Sequence, residues 1–191
     1  ERTKEEFKKL HLEFVVQDVQ LGPSHAIYAA RDLLTEDQFL FKYGDSVHSE
    51  DLVGSLLKKN TGDGAITLRR VKDPQRYGIA RLEKDVVVEI VEKPEKPPSK
   101  LGLVGAGILD TKKFLAGVEK DILFSGKKEV PPPEYVLREG GKLNYWEYKG
   151  KREDLGKPWD VLLVNRLLVE KFEGKKGWIG GELGKQVKVK N

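Results

Sequence analysis

Cysteine and methionine are both absent from this chain of 191 residues, and it has no long apolar run. Without cysteine the protein has no disulfide scaffold, no thiolate metal site and no cysteine nucleophile, and a reducing cytoplasm is the default expectation for its location. Every apolar run is far shorter than the roughly 20 residues that a helix needs to cross a bilayer. We therefore expect no membrane partner.

The charged residues are numerous and mixed in sign. Lysine and arginine total 35, aspartate and glutamate total 31, and the net charge is +4. Because these charges are spread as lysine–glutamate mixtures and form no basic stripe, we expect no nucleic acid partner. A high content of lysine and glutamate without cysteine or methionine also predicts a thermophilic source.

Strand and helix patterns alternate along the chain. Apolar runs predict strands at 11–17, 38–43, 65–71, 77–82, 86–91, 103–109 and 143–148. Helices are predicted at the start of the chain, at 23–34, 49–60 and 111–118, before 139 and from 157 onward. This alternation predicts an α/β fold, with a mainly parallel, Rossmann-like mixed sheet sandwiched by helices.

The segment 38–45 holds the first candidate site residue. Phe39, Leu40 and Phe41 form an apolar run that favours a buried strand, and Gly44 ends it. Asp45 then lies at the carboxyl end of a strand, where open α/β sheets bind their ligands. Glycine, aspartate and serine are also common in ordinary turns, so this segment alone leaves both interpretations open.

Two other features give no cofactor signature. The glycines at 102, 105 and 107 are spaced in the reverse order to a dinucleotide fingerprint, and no helix follows them directly. Glycines inside a strand indicate a close approach by a ligand or a neighbouring backbone. His25 has no second ligand at helical spacing, so we interpret it as structural.

Four motifs follow one another over nearly the whole chain, from Phe14 to Asn165. They are Val15-Val16-Gln17 with Gln20-Leu21-Gly22 and His25-Ala26-Ile27; Tyr43-Gly44-Asp45; Arg76-Tyr77-Gly78 with Ile90-Val91-Glu92-Lys93-Pro94; and Asp154-Leu155-Gly156 with Pro158-Trp159-Asp160 and Asn165. Each motif is weak alone, and the four in this order are specific. Their order resembles the sugar-1-phosphate nucleotidylyltransferases, which include the glucose-1-phosphate thymidylyl- and uridylyltransferases and the N-acetylglucosamine-1-phosphate uridylyltransferases.

The resemblance implies a nucleotide-binding loop and a metal pair. Gln17 corresponds to the glutamine that reads a pyrimidine edge, since an amide offers a donor and an acceptor side by side. Gly22 corresponds to the glycine that lets the backbone approach the base. Asp45 and Asp154 correspond to the catalytic carboxylates that hold Mg²⁺, which prefers one or two carboxylates together with phosphate and water. The implied fold is that of the nucleotide-diphospho-sugar transferases.

The resemblance also implies a sugar phosphate site. Glu92 corresponds to the residue that binds sugar hydroxyls, and Lys93 to the catalytic cation that neutralises the sugar phosphate. Gly78 lies where the family's backbone contacts the sugar, with Tyr77 beside it, and Gly105 would line the same pocket.

The same residues also allow ordinary structural roles. Glu92 and Lys93 could form an exposed charge pair of little energetic value. Asp154 could cap the final helix, because aspartate is a good cap. Gln17 could be a loop amide without a ligand.

The chain departs from the family pattern at several places. The glycine-rich loop that grips the triphosphate, with its arginine and lysine, is absent from these residues, and we expect it to precede Glu1. Pro23 replaces a threonine, Arg152 stands where a tryptophan is common, and Lys157 replaces another threonine. The segment 130–133 replaces one that usually reads Ile/Leu-Thr-Asp.

These motifs predict transfer of a nucleotidyl group from UTP or dTTP to a sugar 1-phosphate, giving an NDP-sugar and pyrophosphate. The alternative is a catalytically inactive regulatory or assembly subunit that binds a nucleotide sugar or a partner subunit. A homo-oligomer is expected, as is usual for the family. We expect an incomplete nucleotidylyltransferase domain at 1–173 and a tail at 174–191, in which residues 179–184 resemble one rung of a left-handed β-helix.

Overall fold

The computed structural model describes residues 11–48, 51–124 and 130–172. These residues form two compact units. Of the described residues, 11–44, 51–124 and 130–150 belong to the first unit, and 45–48 and 151–172 belong to the second. The predicted first helix, the predicted helix start at Ser49 and the predicted β-helix rung at 179–184 lie outside the described residues.

Eight strands, five α-helices and two short 3-10 helices, at Arg31–Leu33 and Pro74–Arg76, form the regular structure of the described chain. The strands are β1 (Gln38–Lys42), β2 (Ser46–His48), β3 (Gly64–Arg70), β4 (Gly78–Glu83), β5 (Val86–Glu92), β6 (Leu101–Asp110), β7 (Asn144–Glu147) and β8 (Arg152–Asp154). The helices are α1 (Pro23–Ala29), α2 (Leu52–Lys59), α3 (Thr111–Phe124), α4 (Pro132–Arg138) and α5 (Asp160–Phe172).

The large sheet of the first unit has the order β5-β4-β6-β3-β7, and β1 also pairs with β6. Strand β6 is antiparallel to β1, β3 and β4, and β4 is antiparallel to β5; among the described pairs of this sheet, only β3 and β7 are parallel. The prediction of a mixed sheet is therefore confirmed, whereas the prediction that it is mainly parallel is wrong. The physical reason is that β6 lies between β1 and β3, which run in the same direction, and so separates them.

Helices cover both faces of this sheet. One core cluster includes Ile66, Leu109, Phe114 and Val136, and Ile27 of α1 packs against it, so α1, α3 and α4 share a face. The opposite face is covered by α2, because Leu52 and Leu56 pack with Ala65, Val104 and Ile108. Neighbouring residues of β3 and β6 divide between the two clusters, as the alternation of side chains along a strand requires. The predicted α/β sandwich is confirmed for the first unit.

A bulge interrupts β6 next to β1. The register of β3 against β6 jumps from Ile66 opposite Gly107 to Leu68 opposite Leu103. Gly105 lies within this bulge with φ of +79°, and its carbonyl accepts the N–H of Tyr43 at 2.8 Å. A Cβ on Gly105 would lie 2.7 Å from Cδ2 of the Tyr43 ring. The position therefore needs glycine both for its backbone conformation and for space.

One predicted element, the strand at 11–17, is absent from the structure. Residues 11–17 form no strand, and the side chains of Phe14 and Val16 are 63% and 77% exposed. The reason is that no described strand pairs with this segment, and an apolar run alone does not make a strand. The prolines at 132 and 133 open α4, where a missing N–H costs nothing because the first helical N–H groups have no partner within the helix.

The second unit contains a two-stranded antiparallel ladder and one helix. Strand β2 pairs with β8, with Ser46 opposite Asp154. In α5, Val164 and Leu167 are buried, whereas Val161 and Leu162 are exposed. Within the described ranges, no helix combines the length and apolar character required to cross a bilayer.

Candidate functional site

The open end of the β4–β5 hairpin brings Gly78 and Glu92 together. The two residues are register partners, and a Cβ on Gly78 would lie 3.0 Å from Oε2 of Glu92. It would also lie 2.9 Å from Leu103 and 3.3 Å from Pro131. Glycine at position 78 thus lets the carboxylate of Glu92 lie close against the backbone. The predicted sugar-binding residues 78 and 92 are in contact.

Lys93 ends this hairpin in an uncommon backbone conformation. Its φ is +42°, and its N–H donates to the carbonyl of Tyr77 at 3.0 Å. Its ammonium lies 3.3 Å from Oε1 of Glu92, and its side chain is 58% exposed. A left-handed conformation at a residue other than glycine persists only where surrounding contacts enforce it, and such residues cluster at functional sites. Tyr77, Gly78, Glu92 and Lys93 therefore form one group.

The predicted nucleotide loop also forms a group. Nε2 of Gln17 donates to the carbonyl of Gly22 at 3.2 Å and lies 3.0 Å from Nδ1 of His25. These contacts hold the amide of Gln17 beside the start of α1. Among the described residues His25 has a hydrogen-bond partner in this loop and belongs to no cluster that could hold a metal ion.

A short segment contacts both groups. The hydroxyl of Ser24, in the buried first turn of α1, donates to the carbonyl of Val130. The next residue, Pro131, reaches Gly78 at the end of the hairpin. The segment at 130–131 therefore lies against both the nucleotide loop and the sugar hairpin. The sequence showed it only as a departure from the family pattern, and no local signal marks Ser24 as its partner 106 residues away.

Glu134 anchors the hairpin from α4. Its Oε2 accepts the N–H of Ile90 at 2.8 Å, and its Oε1 accepts from Arg138 at 3.2 Å. Burial raises the pKa of Glu134 above its ordinary value, against the opposing effect of those two hydrogen bonds. Glu134 holds β5 two residues before Glu92. Sequence reasoning missed it, since a glutamate in a short helix has no distinguishing pattern.

The predicted metal pair lies in the second unit. Asp45 directly precedes β2, and its carbonyl accepts the N–H of Leu155 at 2.7 Å, which brings it next to the end of β8. Oδ1 of Asp154 accepts from the hydroxyl of Ser46 at 2.6 Å and from Nε of Arg152 at 2.9 Å. The side chain of Arg152 is only 10% exposed, whereas that of Asp154 is 42% exposed. The departure at position 152 thus places a guanidinium on one of the two predicted carboxylates.

Two carboxylates on neighbouring strand ends suit Mg²⁺, which takes its remaining ligands from phosphate and water. The donor chemistry of Asp45 and Asp154 therefore fits the ion, and Arg152 would compete with it for Oδ1 of Asp154. Within the described residues no group of three or more His, Cys, Asp or Glu side chains could hold a metal.

Comparison with known proteins identifies the family. A sequence model described as nucleotidyl transferase matches residues 1–166. The chain belongs to the nucleotidyl transferase family. It is 30% identical over 171 residues to the low-salt glycan biosynthesis nucleotidyltransferase Agl11 of Haloferax volcanii, covering 87% of this chain and 48% of the relative. It is also 30% identical to the bifunctional protein GlmU of Methanococcus maripaludis, covering 93% of this chain and 42% of that protein.

The chain thus spans under half the length of these two curated relatives. Among solved structures, UDP-glucose pyrophosphorylase from Acinetobacter baumannii matches with a TM-score of 0.65 and 21% identity, over 92% of this chain and 70% of that one. At this identity the likeness shows the fold alone. It confirms the expected fold type, that of the nucleotide-diphospho-sugar transferases.

Proposed function

We propose that the protein containing this chain transfers a nucleotidyl group from UTP or dTTP to a sugar 1-phosphate. The observation that carries the proposal is the grouping within the first unit. The loop of Gln17 and Gly22 and the hairpin end of Gly78, Glu92 and Lys93 contact one segment, residues 130–131. Membership in the nucleotidyl transferase family supports the reaction class.

In the proposed reaction an oxygen of the sugar phosphate attacks the α-phosphorus in line. The new phosphorus–oxygen bond forms as the bond from the α-phosphorus to the bridging oxygen breaks, and pyrophosphate leaves with that electron pair. The side chain of Lys93 neutralises the sugar phosphate, Glu92 accepts hydrogen bonds from sugar hydroxyls, and Gln17 reads the pyrimidine edge. Asp45 and Asp154 are the residues we expect to hold Mg²⁺, which when bound would neutralise phosphate charge.

Pyrophosphate release tests this proposal, with UTP and dTTP supplied in turn alongside glucose 1-phosphate. We expect Asp45→Asn and Asp154→Asn each to lower turnover by about 10²-fold or more while leaving thermal unfolding unchanged within a few degrees. Asp32→Asn is the matched control, because the side chain of Asp32 is 86% exposed and belongs to neither group. Near-normal turnover in either site variant would contradict the metal assignment.

One observation favours a second candidate function, a non-catalytic subunit that binds a nucleotide sugar. The guanidinium of Arg152 already neutralises Asp154, which lowers the attraction of that carboxylate for a cation. Calorimetry with UDP-glucose distinguishes the two functions when it is paired with the pyrophosphate assay. Binding that depends on Glu92, without any pyrophosphate release, would favour the subunit. Homo-oligomerisation, cytoplasmic location and a thermophilic source stay predictions.

A further inference from the structure

A groove lies along β7 in the first unit, and the residues assigned to the proposed reaction do not line it. Its volume is about 890 Å³, within the range of roughly 300–1,000 Å³ that is usual for small-molecule sites. Lys58 and Lys59 line it from the last turn of α2, Lys149 lines it after β7, and Asn144, Tyr145 and Trp146 line it from β7 itself.

The groove carries an excess of positive charge. Lys58, Lys59 and Lys149 are exposed, and in the part of the chain that the structure describes none of their side chains forms an ion pair or a hydrogen bond. Of the two carboxylates that line the groove, Glu147 is already paired with Arg70 at 3.2 Å. Asp85, in the β4–β5 turn, is the other. Three lysines without an ion-pair partner therefore line the groove, a number that suits an anion with more than one charge, such as a diphosphate.

Rigid aromatic and amide groups line the same groove. Trp146 packs edge to face on the buried Tyr148, with ring centroids 5.5 Å apart, so its indole is held in place. Nδ2 of Asn144 donates to the carbonyl of Thr61 at 2.9 Å and to its hydroxyl at 2.6 Å, which fixes the orientation of the amide. A half-buried indole offers a face on which a planar base can stack.

The groove and the candidate sugar site lie at opposite ends of the same hairpin. Gly78 and Glu92 form the open end of β4 and β5, and Asp85 lies in the turn that joins these strands. Six residues of β4 separate the two ends, which corresponds to about 20 Å of extended chain. The groove is thus a separate location from Glu92 and Lys93.

We propose that this groove binds a nucleoside diphosphate, with the phosphates on Lys58 and Lys59 and the base against Trp146. Point charges on flexible lysines suit phosphate, the indole suits a base of any identity, and the fixed amide of Asn144 offers polar contacts to it. A purine nucleotide is a suitable probe, because the loop of Gln17 is proposed to read a pyrimidine.

The test is calorimetric titration of the 191-residue chain with ADP, with adenosine and with inorganic pyrophosphate, each without added metal. We expect saturable ADP binding that the double variant Lys58→Gln/Lys59→Gln weakens about tenfold or more, as the loss of charged contacts implies. We expect Trp146→Leu to weaken ADP binding while leaving pyrophosphate binding unchanged. The matched control Lys100→Gln/Lys112→Gln removes the same charge from exposed positions outside the groove and should leave ADP affinity unchanged.

A further variant separates this groove from the proposed nucleotide loop. Gln17→Ala should leave ADP affinity unchanged and weaken UTP binding. The proposal is overturned if ADP shows no saturable binding or binds no better than pyrophosphate. It is also overturned if the control double variant weakens binding as much as the groove variant, or if ADP binding is lost with Gln17→Ala.

Discussion

The group around Gly78 in the first unit and the Asp45–Asp154 pair in the second unit are held by different kinds of contact. Around Gly78, the side chains of Leu103, Pro131 and Glu92 pack closely against the glycine backbone, which has no side chain in the way. At Asp154, the position comes from a guanidinium and a hydroxyl that donate to one carboxylate oxygen. Packing tolerates little change in volume, whereas an ion pair with a half-exposed partner tolerates replacement at small cost.

This difference teaches where each group is vulnerable. Adding atoms to closely packed residues of the first unit should lower the free energy of unfolding. Removing charge beside the Asp45–Asp154 pair should change its affinity for Mg²⁺. The predictions below follow that contrast from the largest effect to the smallest.

Gly105 is a second close-packed glycine of the first unit, and adding one methyl group there tests how little extra volume such packing tolerates. We expect Gly105→Ala to lower the free energy of unfolding by about 2–4 kcal/mol, because alanine must adopt a left-handed φ and its Cβ meets the Tyr43 ring. Urea denaturation measures the loss.

Gly140→Ala is the control for that experiment. Gly140 has φ of +73°, close to that of Gly105, and a Cβ there would meet nothing within 4 Å. Gly140→Ala should lower the free energy of unfolding by about 1 kcal/mol, the cost of a left-handed backbone conformation at alanine. Equal losses in the two variants would show that the contact with Tyr43 contributes nothing.

Removing the charge of Arg152 tests the second group, in which a guanidinium holds the carboxylate of Asp154. We expect Arg152→Gln to lower stability by about 1 kcal/mol, because its partner Asp154 is 42% exposed. The same change should tighten Mg²⁺ binding about fivefold, since the cation no longer competes with a guanidinium. Calorimetric titration with MgCl₂ measures this effect.

Arg81→Gln serves as the comparison variant for Arg152. Arg81 pairs with Glu83 and Glu89 in the first unit, so its loss removes a paired arginine without touching Asp154. Its Mg²⁺ affinity should match the wild type. Unchanged or weaker Mg²⁺ binding by Arg152→Gln would argue against competition at Asp154.

The smallest expected effect concerns pH. Burial raises the pKa of Glu134 in the folded protein, so the folded state holds this proton more tightly than the unfolded state. The stability contributed by protonated Glu134 is present below the pKa of this carboxyl in the unfolded chain and is lost as pH rises through the raised pKa of the folded state. We expect Glu134→Gln to remove this decline when urea denaturation is compared across acidic to neutral pH.

Glu139→Gln, just after the same helix, is the control for Glu134. Its carboxylate pairs with Lys120, and it lies away from β5. Parallel stability profiles for wild type and Glu134→Gln would contradict the role assigned to burial of that carboxyl.

Local patterns predicted the parts of the site that depend on neighbouring residues. The strands at 77–82 and 86–91 with a turn at 83–85 were expected from alternation, and the hairpin β4–β5 confirms them. The turn fixes the pairing beside it, with Glu83 opposite Val86, but a register shift between Arg81 and Leu82 then moves the pairing by one residue. This irregularity, which alternation does not predict, places Gly78 opposite Glu92. The ordered motifs likewise identified the family, which the match over residues 1–166 confirms.

The sequence by itself determined the family, the hairpin and the alternation of strands and helices, because these follow from local pattern and motif order. Tertiary structure decided that β6 separates β1 from β3, that residues 11–17 form no strand, and that Ser24 meets Val130. It also decided the contact of Arg152 with Ser46, 106 residues earlier in the chain. Each of these depends on which distant segments meet, and the free energy of such contacts comes from packing and pairing in three dimensions that no local pattern encodes.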